Sequence, residues 1–243
     1  MNNSFELVRE CEEVVQNKIK GELNMKKGIL VVVSGFSGSG KGTIMKRLMS
    51  KYGENYSLSV SATTRAPRPG EVHGVDYFYL TTEEFENMIE QDQLIEYAKY
   101  VTNYYGTPKA YVEEQLNAGR NVILEIEMQG AIKVKKKYPE TILLFVTAPS
   151  AGEVKKRLIG RNTESMEVID ARMQRAYEES YGLDDYDYLV INDDLEDCVE
   201  CVNSIIMGER MEDTEKNAGC RVSANIDFIN NIREELLSFS KGV

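Results

Sequence analysis

The amino-acid sequence predicts an α/β fold in which a mostly parallel sheet is flanked by helices. Apolar runs rich in β-branched residues, such as "ILVVV", alternate along the chain with segments of helical periodicity. These runs are apolar throughout, which is typical of strands that are buried on both faces of a sheet. The 243 residues are enough for one sizeable core, alone or with small appendages.

Strands and helices are predicted in alternation. The strands are predicted at Ile29–Val33, Leu58–Ser61, Val122–Ile126, Ile142–Val146 and Tyr188–Ile191. The helices are predicted at Gly42–Tyr52, Glu83–Gln91, Lys109–Asn117, Ala131–Lys137, Ala151–Ile159, Met166–Tyr181 and Leu195–Met207. The sequence "TTEE", Thr81–Glu84, predicts a capping box at the start of the second helix.

Both ends of the chain are predicted to extend the main domain, which we expect to span residues 25–208. Residues 1–24 are predicted to form a helical extension, because apolar residues recur at helical spacing between Phe5 and Ile19. Residues 209–243 are predicted to form a second extension, with a polar linker at 211–225 and a last helix carrying apolar residues from Ile226 to Leu236. Whether the extensions pack on the core or mediate self-association is open, and so is the oligomeric state.

The overall charge and hydropathy exclude several classes of function. The net charge of -11 argues against non-specific binding to nucleic acid or to an anionic membrane. No run of about 20 apolar residues is present to span a bilayer. The N-terminus lacks the basic start and apolar run of a secretory signal, so we expect a cytoplasmic protein with reduced thiols.

The cysteine and histidine content limits the chemistry. Cys198 and Cys201 form a CxxC, but residues three apart share one face of the predicted helix, and no second CxxC or histidine pair completes a zinc site. We interpret them as structural thiols. His73 is the single histidine and no nucleophile lies near it in the sequence. We therefore expect chemistry based on positioning and electrostatics.

The stretch "GFSGSGKGT", residues 35–43, follows a predicted strand and precedes a predicted helix. Gly35, Gly40 and Lys41 have the spacing of a phosphate-binding loop, in which glycines let backbone N–H groups face phosphate oxygens and the lysine reaches the β- and γ-phosphates. Ser or Thr usually follows the lysine to bind Mg²⁺, but here the residue is Gly42. The hydroxyl comes at Thr43, for which a phosphate contact and a metal contact through water are both open. The loop residues predicted to bind a nucleotide, which the resemblance described below implies is ATP, are Gly35, Ser37, Gly38, Ser39, Gly40, Lys41, Gly42 and Thr43.

The stretch "SVSATTRAPRPGEVHGVDYFYL", residues 59–80, carries a second candidate phosphate site. Arg65 and Arg68 lie three residues apart, and Pro67 and Pro69 stiffen the segment and exclude a helix. Two guanidinium groups on a stiff loop suit a phosphate dianion. A solvated basic turn is the alternative.

Several motifs resemble those of the guanylate kinase family. They are "SATTRAPRPGE", "GVDYFY", "IEYAKYVTNYYGT", "ILEIEMQG", "RLIGRNTES" and "VINDDLE", and the resemblance runs from about Lys27 to Met207. It implies a P-loop kinase fold with a GMP-binding region at about 59–112 and a lid at about 157–172. It also implies transfer of the γ-phosphoryl group of ATP, bound with Mg²⁺, to GMP in purine nucleotide metabolism. The expected partners are ATP and GMP, and no nucleic acid or membrane.

The resemblance assigns roles on the acceptor side of this reaction. It implies that Arg65, Arg68, Tyr77 and Tyr105 bind the GMP phosphate, that Glu96 reads the base, and that Ser61 and Thr107 assist Glu96. A carboxylate can accept the N1–H and N2–H₂ donors of guanine in parallel, and adenine has no such pair. Glu125 and Glu127 end the strand "VILEIE" and are expected to contact GMP or metal-bound water. The family commonly has aspartate at the position of Glu127.

The resemblance also assigns roles on the donor side. It implies that Arg157, Arg161 and Arg172 belong to the lid and its flank and act in catalysis together with Lys41, by neutralising charge on the transferring phosphoryl group. Asn192 is expected to contact the adenine of ATP. Phe36 replaces a proline that is usual in the family, and we expect it to alter the stiffness of the loop.

Two other functions remain open at this point. A guanylate-kinase-like module that binds proteins typically lacks an intact phosphate loop, whereas this sequence keeps the lysine, the glycines and the lid arginines. A P-loop kinase for another small acceptor is the second alternative. Glu96 discriminates between GMP and another small acceptor, because its carboxylate matches the donors of guanine.

Overall fold

The computed structural model describes residues 26–161 and 164–240. The predicted N-terminal helix at residues 1–24 lies outside the described residues. Within the described ranges the strands form a five-stranded sheet and a four-stranded sheet.

The strands and helices of the described residues have the following bounds. The strands are β1 (Leu30–Gly35), β2 (Tyr56–Leu58), β3 (Ala62–Thr63), β4 (Phe78–Tyr79), β5 (Leu94–Tyr100), β6 (Asn103–Pro108), β7 (Asn121–Glu125), β8 (Ile142–Thr147) and β9 (Tyr188–Ile191). The α-helices are α1 (Lys41–Tyr52), α2 (Thr82–Glu90), α3 (Lys109–Asn117), α4 (Met128–Lys137), α5 (Ala151–Ile159), α6 (Met166–Ser180), α7 (Leu195–Met211) and α8 (Ile226–Ser240). Short 3₁₀ helices lie at Leu183–Asp185, Glu215–Cys220 and Val222–Ala224.

The larger sheet has the strand order β2-β7-β1-β8-β9, and all its neighbouring strands are parallel. The central strand β1 is buried on both faces, with Val31, Val32 and Val33 each 0% exposed. Because successive side chains point to opposite faces, Val32 packs in one hydrophobic cluster with Phe145, while Val31 and Val33 pack in the other with Ile44. The predicted α/β fold with a parallel, doubly covered sheet is confirmed.

The smaller sheet has the order β4-β3-β6-β5 and lies over a small core that includes Ala62, Phe85 and Leu94. It is mixed, because β3 is parallel to β4 and antiparallel to β6. The helix α2 begins at the predicted capping box: the N–H of Glu84 donates to Thr81 Oγ1 at 3.2 Å, and the N–H of Thr81 donates to Glu84 Oε2 at 2.7 Å.

One predicted strand was misplaced. The strand predicted at Leu58–Ser61 corresponds to β2, which lies earlier, at Tyr56–Leu58, and pairs with β7 from Tyr56 and Asn121 onward. The following residues 59–61 leave the larger sheet toward β3. The β-forming residues there mark a crossing between two sheets, which local propensity does not distinguish from a strand.

The C-terminal region packs on the core. The polar segment 211–225, predicted to be a linker, is largely folded into the 3₁₀ helices Glu215–Cys220 and Val222–Ala224, and Asn217 is 3% exposed. The predicted last helix is present as α8, and its buried residues Ile229, Ile232 and Leu236 join the cluster that contains residues of α6. No described helix is both long enough and apolar enough to cross a bilayer.

Candidate active site

The segment Gly35–Thr43 joins β1 to α1 at the carboxyl end of the central strand. Gly38 and Gly40 have φ angles of 88° and 87°, a left-handed conformation that glycine adopts without steric cost. A Cβ at Gly40 would also collide with the side-chain amide of Asn192. The loop therefore requires glycine at this position, and it leads into a helix N-terminus, which favours anions.

Side chains beneath the loop hold its backbone in place. The carbonyl oxygen of Ser39 accepts hydrogen bonds from Asn192 Nδ2 at 2.7 Å and Arg157 Nη1 at 3.3 Å. Arg157 Nη2 donates to the carbonyl oxygen of Asn192 at 2.9 Å. Phe36 is buried and meets Phe145 edge to face, with ring centroids 4.8 Å apart. The structure thus brings Arg157 and Asn192 to the loop, while the adenine contact of Asn192 stays a prediction.

Three hydroxyl groups border the loop. Ser37 Oγ accepts a hydrogen bond from Arg172 Nη1 at 2.6 Å. Ser39 Oγ is buried and has no hydrogen-bond partner among the described residues. Thr43 is exposed on the first turn of α1. Gly42, which precedes it, has no atom within 4 Å of the place a Cβ would take, so packing does not explain the glycine there.

Lys41 is the first residue of α1, directly after the glycines of the loop, and three glutamates act on its charge. Burial lowers the pKa of Lys41, and the negative charges of Glu125, Glu127 and Glu179 oppose that shift. Glu125 ends β7, and Glu127 is the N-cap of α4. The structure therefore places both strand-end glutamates on the same side of the sheet as the phosphate loop, as expected for open α/β sheets.

The loop and α6 face each other across a cleft of about 910 Å³. Arg161, Arg172 and Arg175 line this cleft together with Glu127 and Glu179. The predicted Arg172 contacts the loop directly, and the predicted Arg161 is exposed beyond the end of α5. The cleft thus collects cationic side chains opposite the phosphate loop.

Arg175 and Glu179 were not identified from the sequence. Arg175 Nη2 donates to Glu127 Oε2 at 2.5 Å, and Arg175 Nε donates to Glu179 Oε1 at 3.0 Å. The available signal was spacing: Arg175 follows Arg172 by three residues and so lies on the same helix face.

A second cluster surrounds Arg65. Its Nη1 and Nη2 donate to Oε2 and Oε1 of Glu71 at 3.0 and 2.9 Å. Glu71 Oε2 also accepts the N–H of Arg68 at 2.7 Å and the hydroxyl of Tyr79 at 2.8 Å. These hydrogen bonds, that of Arg65 foremost, hold the pKa of Glu71 at about 2. The guanidinium of Arg65 lies over the ring of Tyr77, 5.3 Å from its centroid.

The predicted phosphate-binding residues of the acceptor side are only partly assembled. The rings of Tyr77 and Tyr105 meet edge to face with centroids 6.2 Å apart, beside Arg65. The side chain of Arg68 is exposed at the edge of this group. Glu71 was missed from the sequence, although it closes the motif "SATTRAPRPGE"; the signal was an acid within a stiff loop that carries two arginines.

Glu96 and Thr107 are in contact on neighbouring strands β5 and β6. Thr107 Oγ1 donates to Glu96 Oε1 at 2.9 Å. Burial raises the pKa of Glu96 above its ordinary value, and the hydrogen bond from Thr107 opposes this shift. Ser61 lies just before β3, where its carbonyl oxygen accepts the N–H of Phe78 at 2.8 Å. The arrangement offers a half-buried carboxylate whose second oxygen accepts no hydrogen bond from another described residue.

His73 and the three cysteines that the structure describes lie outside the cleft. The N–H of Tyr79 donates to His73 Nδ1 at 3.2 Å. Cys198 is buried in α7, and the sulfur of Cys201 lies 3.3 Å from that of Cys220. In residues 26–161 and 164–240, no group of three or more His, Cys, Asp or Glu side chains is arranged to hold a metal ion.

Comparisons with known proteins show which family the main domain resembles. The sequence profile of a family described as guanylate kinase matches residues 27–209. The chain is 48% identical over 210 residues to a guanylate kinase of Caldanaerobacter subterraneus subsp. tengcongensis, covering 86% of this chain and 97% of that protein. It is 50% identical over 184 residues to a guanylate kinase of Streptococcus thermophilus, covering 76% of this chain and 88% of that protein.

A solved structure agrees with these relatives. The crystal structure of guanylate kinase from Anaplasma phagocytophilum superposes with a TM-score of 0.61 at 30% sequence identity. The match covers 78% of this chain and 89% of that chain.

Proposed function

The chain belongs to the guanylate kinase family, and we propose how its residues divide that family's reaction between a donor side and an acceptor side. The reaction transfers the γ-phosphoryl group of ATP to GMP and gives ADP and GDP, and this is the activity of the chain. The observation that best supports this division is that the chain has two separate features suited to phosphate groups. One is the phosphate loop before α1, and the other is the hydrogen-bonded cluster of Arg65 and Glu71.

The donor side binds the triphosphate of ATP. The backbone N–H groups of Gly35–Thr43 and the N-terminus of α1 supply partial positive charge, and Lys41 supplies a full charge. The buried Ser39 Oγ, which has no partner among the described residues, supports a ligand at this loop. Asn192 holds the loop and, in this proposal, also borders the adenine.

The acceptor side binds GMP. Arg65, Tyr77 and Tyr105 bind its phosphate, and Arg68 turns in from the exposed edge to join them. Glu96 accepts the N1–H and N2–H₂ donors of guanine. Its contact with Thr107 at 2.9 Å supports this role, because the hydroxyl orients the carboxylate through one oxygen, which keeps a second lone pair, so both oxygens can still accept from the base. Ser61 lies just before β3, whose Ala62 pairs with Gly106 next to Thr107, and in this proposal it assists Glu96 in binding the base.

The lid arginines act on the transferring group. Arg172 already reaches Ser37 of the loop at 2.6 Å, and Arg157 reaches Ser39 at 3.3 Å. Arg161 is exposed and joins them when the lid closes over ATP. Arg161 and Arg172, which line the cleft, then neutralise the charge spread over the phosphoryl oxygens. Arg157 acts from beneath the loop by holding the carbonyl oxygens of Ser39 and Asn192. Closure also excludes water that would compete with GMP. In-line transfer needs no covalent intermediate and no histidine.

We propose Mg²⁺ as the cofactor that accompanies ATP. Mg²⁺ prefers oxygen ligands and usually binds through phosphates, waters and one or two carboxylates, so a pre-formed protein cage is not required. The hydroxyl of Thr43 and the carboxylates of Glu125 and Glu127 are the oxygen donors in place at the loop. When bound, the ion would neutralise charge on the β- and γ-phosphates.

We also propose that the protein works in the cytoplasm on nucleotides, without nucleic acid or membrane as a partner. The described cysteines Cys198, Cys201 and Cys220 are free thiols, which suits a reducing compartment.

The experiment that tests this function is turnover of GMP, AMP, IMP and UMP with MgATP, with the nucleotides separated after the reaction. We expect GDP to form from GMP well ahead of the other products. The variant Lys41→Met, purified in the same way, controls for contaminating kinases and should be inactive. A folded wild-type protein that does not convert GMP would contradict the proposal and would favour a binding module instead.

A further inference from the structure

Arg175 joins two walls of the ATP cleft. It lies on α6 and donates from Nη2 to Glu127, at the start of α4, at 2.5 Å. It also donates from Nε to Glu179, one turn along its own helix, at 3.0 Å. All three side chains line the cleft that contains Lys41. One guanidinium thus binds both carboxylates on the side of the cleft that faces the phosphate loop.

This bridge contributes little to the stability of the fold. The side chain of Glu127 is 70% exposed and that of Arg175 is 47% exposed. Ion pairs with this exposure are screened by water and typically add little free energy of unfolding. Its position in the cleft, rather than its strength, therefore distinguishes it from the other exposed pairs.

The charges around Lys41 explain what the bridge does. Glu125, Glu127 and Glu179 all act electrostatically on Lys41. With Arg175 in place, Glu127 and Glu179 are each hydrogen-bonded to its guanidinium, which competes with the lysine's ammonium for these carboxylates. Without Arg175, Glu127 and Glu179 would lose this partner while the charge of Lys41 still acts on them, and Glu127, with its several rotatable bonds, could swing toward the lysine.

We propose that Arg175 is a positioning residue for phosphoryl transfer, which keeps Glu127 and Glu179 away from Lys41 so that Lys41 stays available to the phosphates of ATP. The inference rests on the proposed kinase function. It assigns Arg175 a role different from that of Arg172, one turn earlier, because Arg172 contacts the phosphate loop itself. Arg175 acts on catalysis through Glu127.

The test is a double-mutant cycle of Arg175→Gln and Glu127→Gln, with kcat and KM measured for both substrates. We expect Arg175→Gln alone to lower kcat about tenfold, while the KM for GMP changes less than about twofold. In the Glu127→Gln background, Arg175→Gln should lower kcat less than about twofold, because the carboxylate that would compete for Lys41 is gone. Arg175→Lys keeps the charge and should retain kcat between those of wild type and Arg175→Gln.

Two controls separate this role from a structural one. Arg47→Gln breaks an ion pair of similar exposure, Arg47 with Glu196, on the outer face of α1, and should leave kcat unchanged. The melting temperature of Arg175→Gln should stay within about 2 °C of wild type. Should Arg175→Gln unfold at the assay temperature, Arg175→Lys replaces it in the same cycle.

Several results would overturn the inference. A kcat of Arg175→Gln equal to that of an active wild type would overturn it alone and leave the kinase function standing. An equal loss in both backgrounds would also overturn it, because Arg175 would then act on the phosphates directly. A wild type without GMP turnover would contradict the proposed function and this inference together.

Discussion

The carboxylate of Glu71 binds the guanidinium of Arg65 through two hydrogen bonds, 2.9 and 3.0 Å long. The same carboxylate accepts the backbone N–H of Arg68 at 2.7 Å. One acid therefore fixes both an arginine and the backbone that carries the next arginine. In the proposed function the cation is thus in place before the phosphate of GMP arrives, which lowers the conformational entropy lost on binding.

We predict that Glu71→Gln raises the KM for GMP about tenfold, because the neutral amide no longer fixes the guanidinium of Arg65 through two charged contacts. The KM for ATP should be unchanged, since Glu71 lies on the acceptor side. Steady-state kinetics with each substrate varied in turn measure both constants. Glu90→Gln, a change at an exposed position of α2, is the matched control. An unchanged KM for GMP would contradict the prediction, because GMP binding would then not depend on the contact of Glu71 with Arg65.

The half-buried carboxyl of Glu96 is predicted to oppose folding when it is ionised. Its folded-state pKa is raised by burial, whereas its unfolded value is about 4.3. Below the unfolded pKa the carboxyl is protonated in both states and this destabilisation is absent; above the folded pKa it is complete. We therefore expect Glu96→Gln to be more stable than wild type at about pH 7, with the difference disappearing as the pH falls to about 4.

Urea denaturation at both pH values measures this difference in the free energy of unfolding. Glu113→Gln, at an exposed position of α3, should show no comparable gain at either pH. A Glu96→Gln variant that is less stable than wild type at neutral pH would contradict the prediction and would show that the ionised carboxylate is favourably solvated or paired.

Val101 adopts a φ angle of 56° in the two-residue turn between β5 and β6 and is 81% exposed. A β-branched residue in the left-handed region is strained, and no packing compensates at this exposed tip. We predict that Val101→Gly raises the free energy of unfolding by about 1 kcal/mol and leaves GMP turnover unchanged. Denaturant titration measures the change. Val75→Gly, at another exposed valine without positive φ, should not raise the free energy of unfolding. A lower free energy of unfolding in Val101→Gly would contradict the backbone strain proposed for Val101.

The thiol of Cys201 is predicted to be unreactive. Burial and the neighbouring sulfur of Cys220 raise the pKa of Cys201 to about 12, and burial raises that of Cys198 as well. The reactive thiolate is therefore scarce at neutral pH. We expect iodoacetamide to alkylate Cys201 at least about 100-fold more slowly in the folded protein than in urea. Mass spectrometry of individual cysteines measures the rates, and rapid labelling of Cys201 in the folded state would indicate a redox or metal role.

The phosphate loop and the buried strands could be predicted because their signals are local. The strand "ILVVV", the glycines and Lys41 occur together within a few residues. Helical periodicity predicts the ends of most helices to within three residues of their positions in the structure. Strand β2 was misplaced because its boundary depends on pairing of Tyr56 with Asn121, far along the chain. The segment 211–225 looked like a linker because its composition is polar, although Asn217 is buried and bonded to Ser204.

The residues missed in the site share a different cause. Glu71 and Arg175 are charged residues in charged surroundings, and a sequence shows neither which partner each one finds nor on which side of a cleft it lies. The hydrogen bond from Arg175 to Glu127 joins residues that are 48 positions apart in the chain, so it depends on the tertiary fold and not on local sequence. Conversely, the base-reading role proposed for Glu96 comes from family resemblance, since an isolated glutamate gives no such signal.

The most direct test of the account is a competition between GMP and IMP at equal concentration with MgATP, for wild type and Glu96→Gln. IMP lacks the 2-amino group of guanine, so the ratio of GDP to IDP tests the proposed contact between Glu96 and that group. We predict that wild type forms GDP in large excess and that Glu96→Gln lowers the ratio at least about tenfold. An unchanged ratio in a folded, active Glu96→Gln variant would contradict base reading by Glu96, and a wild type that forms neither product would contradict the kinase itself.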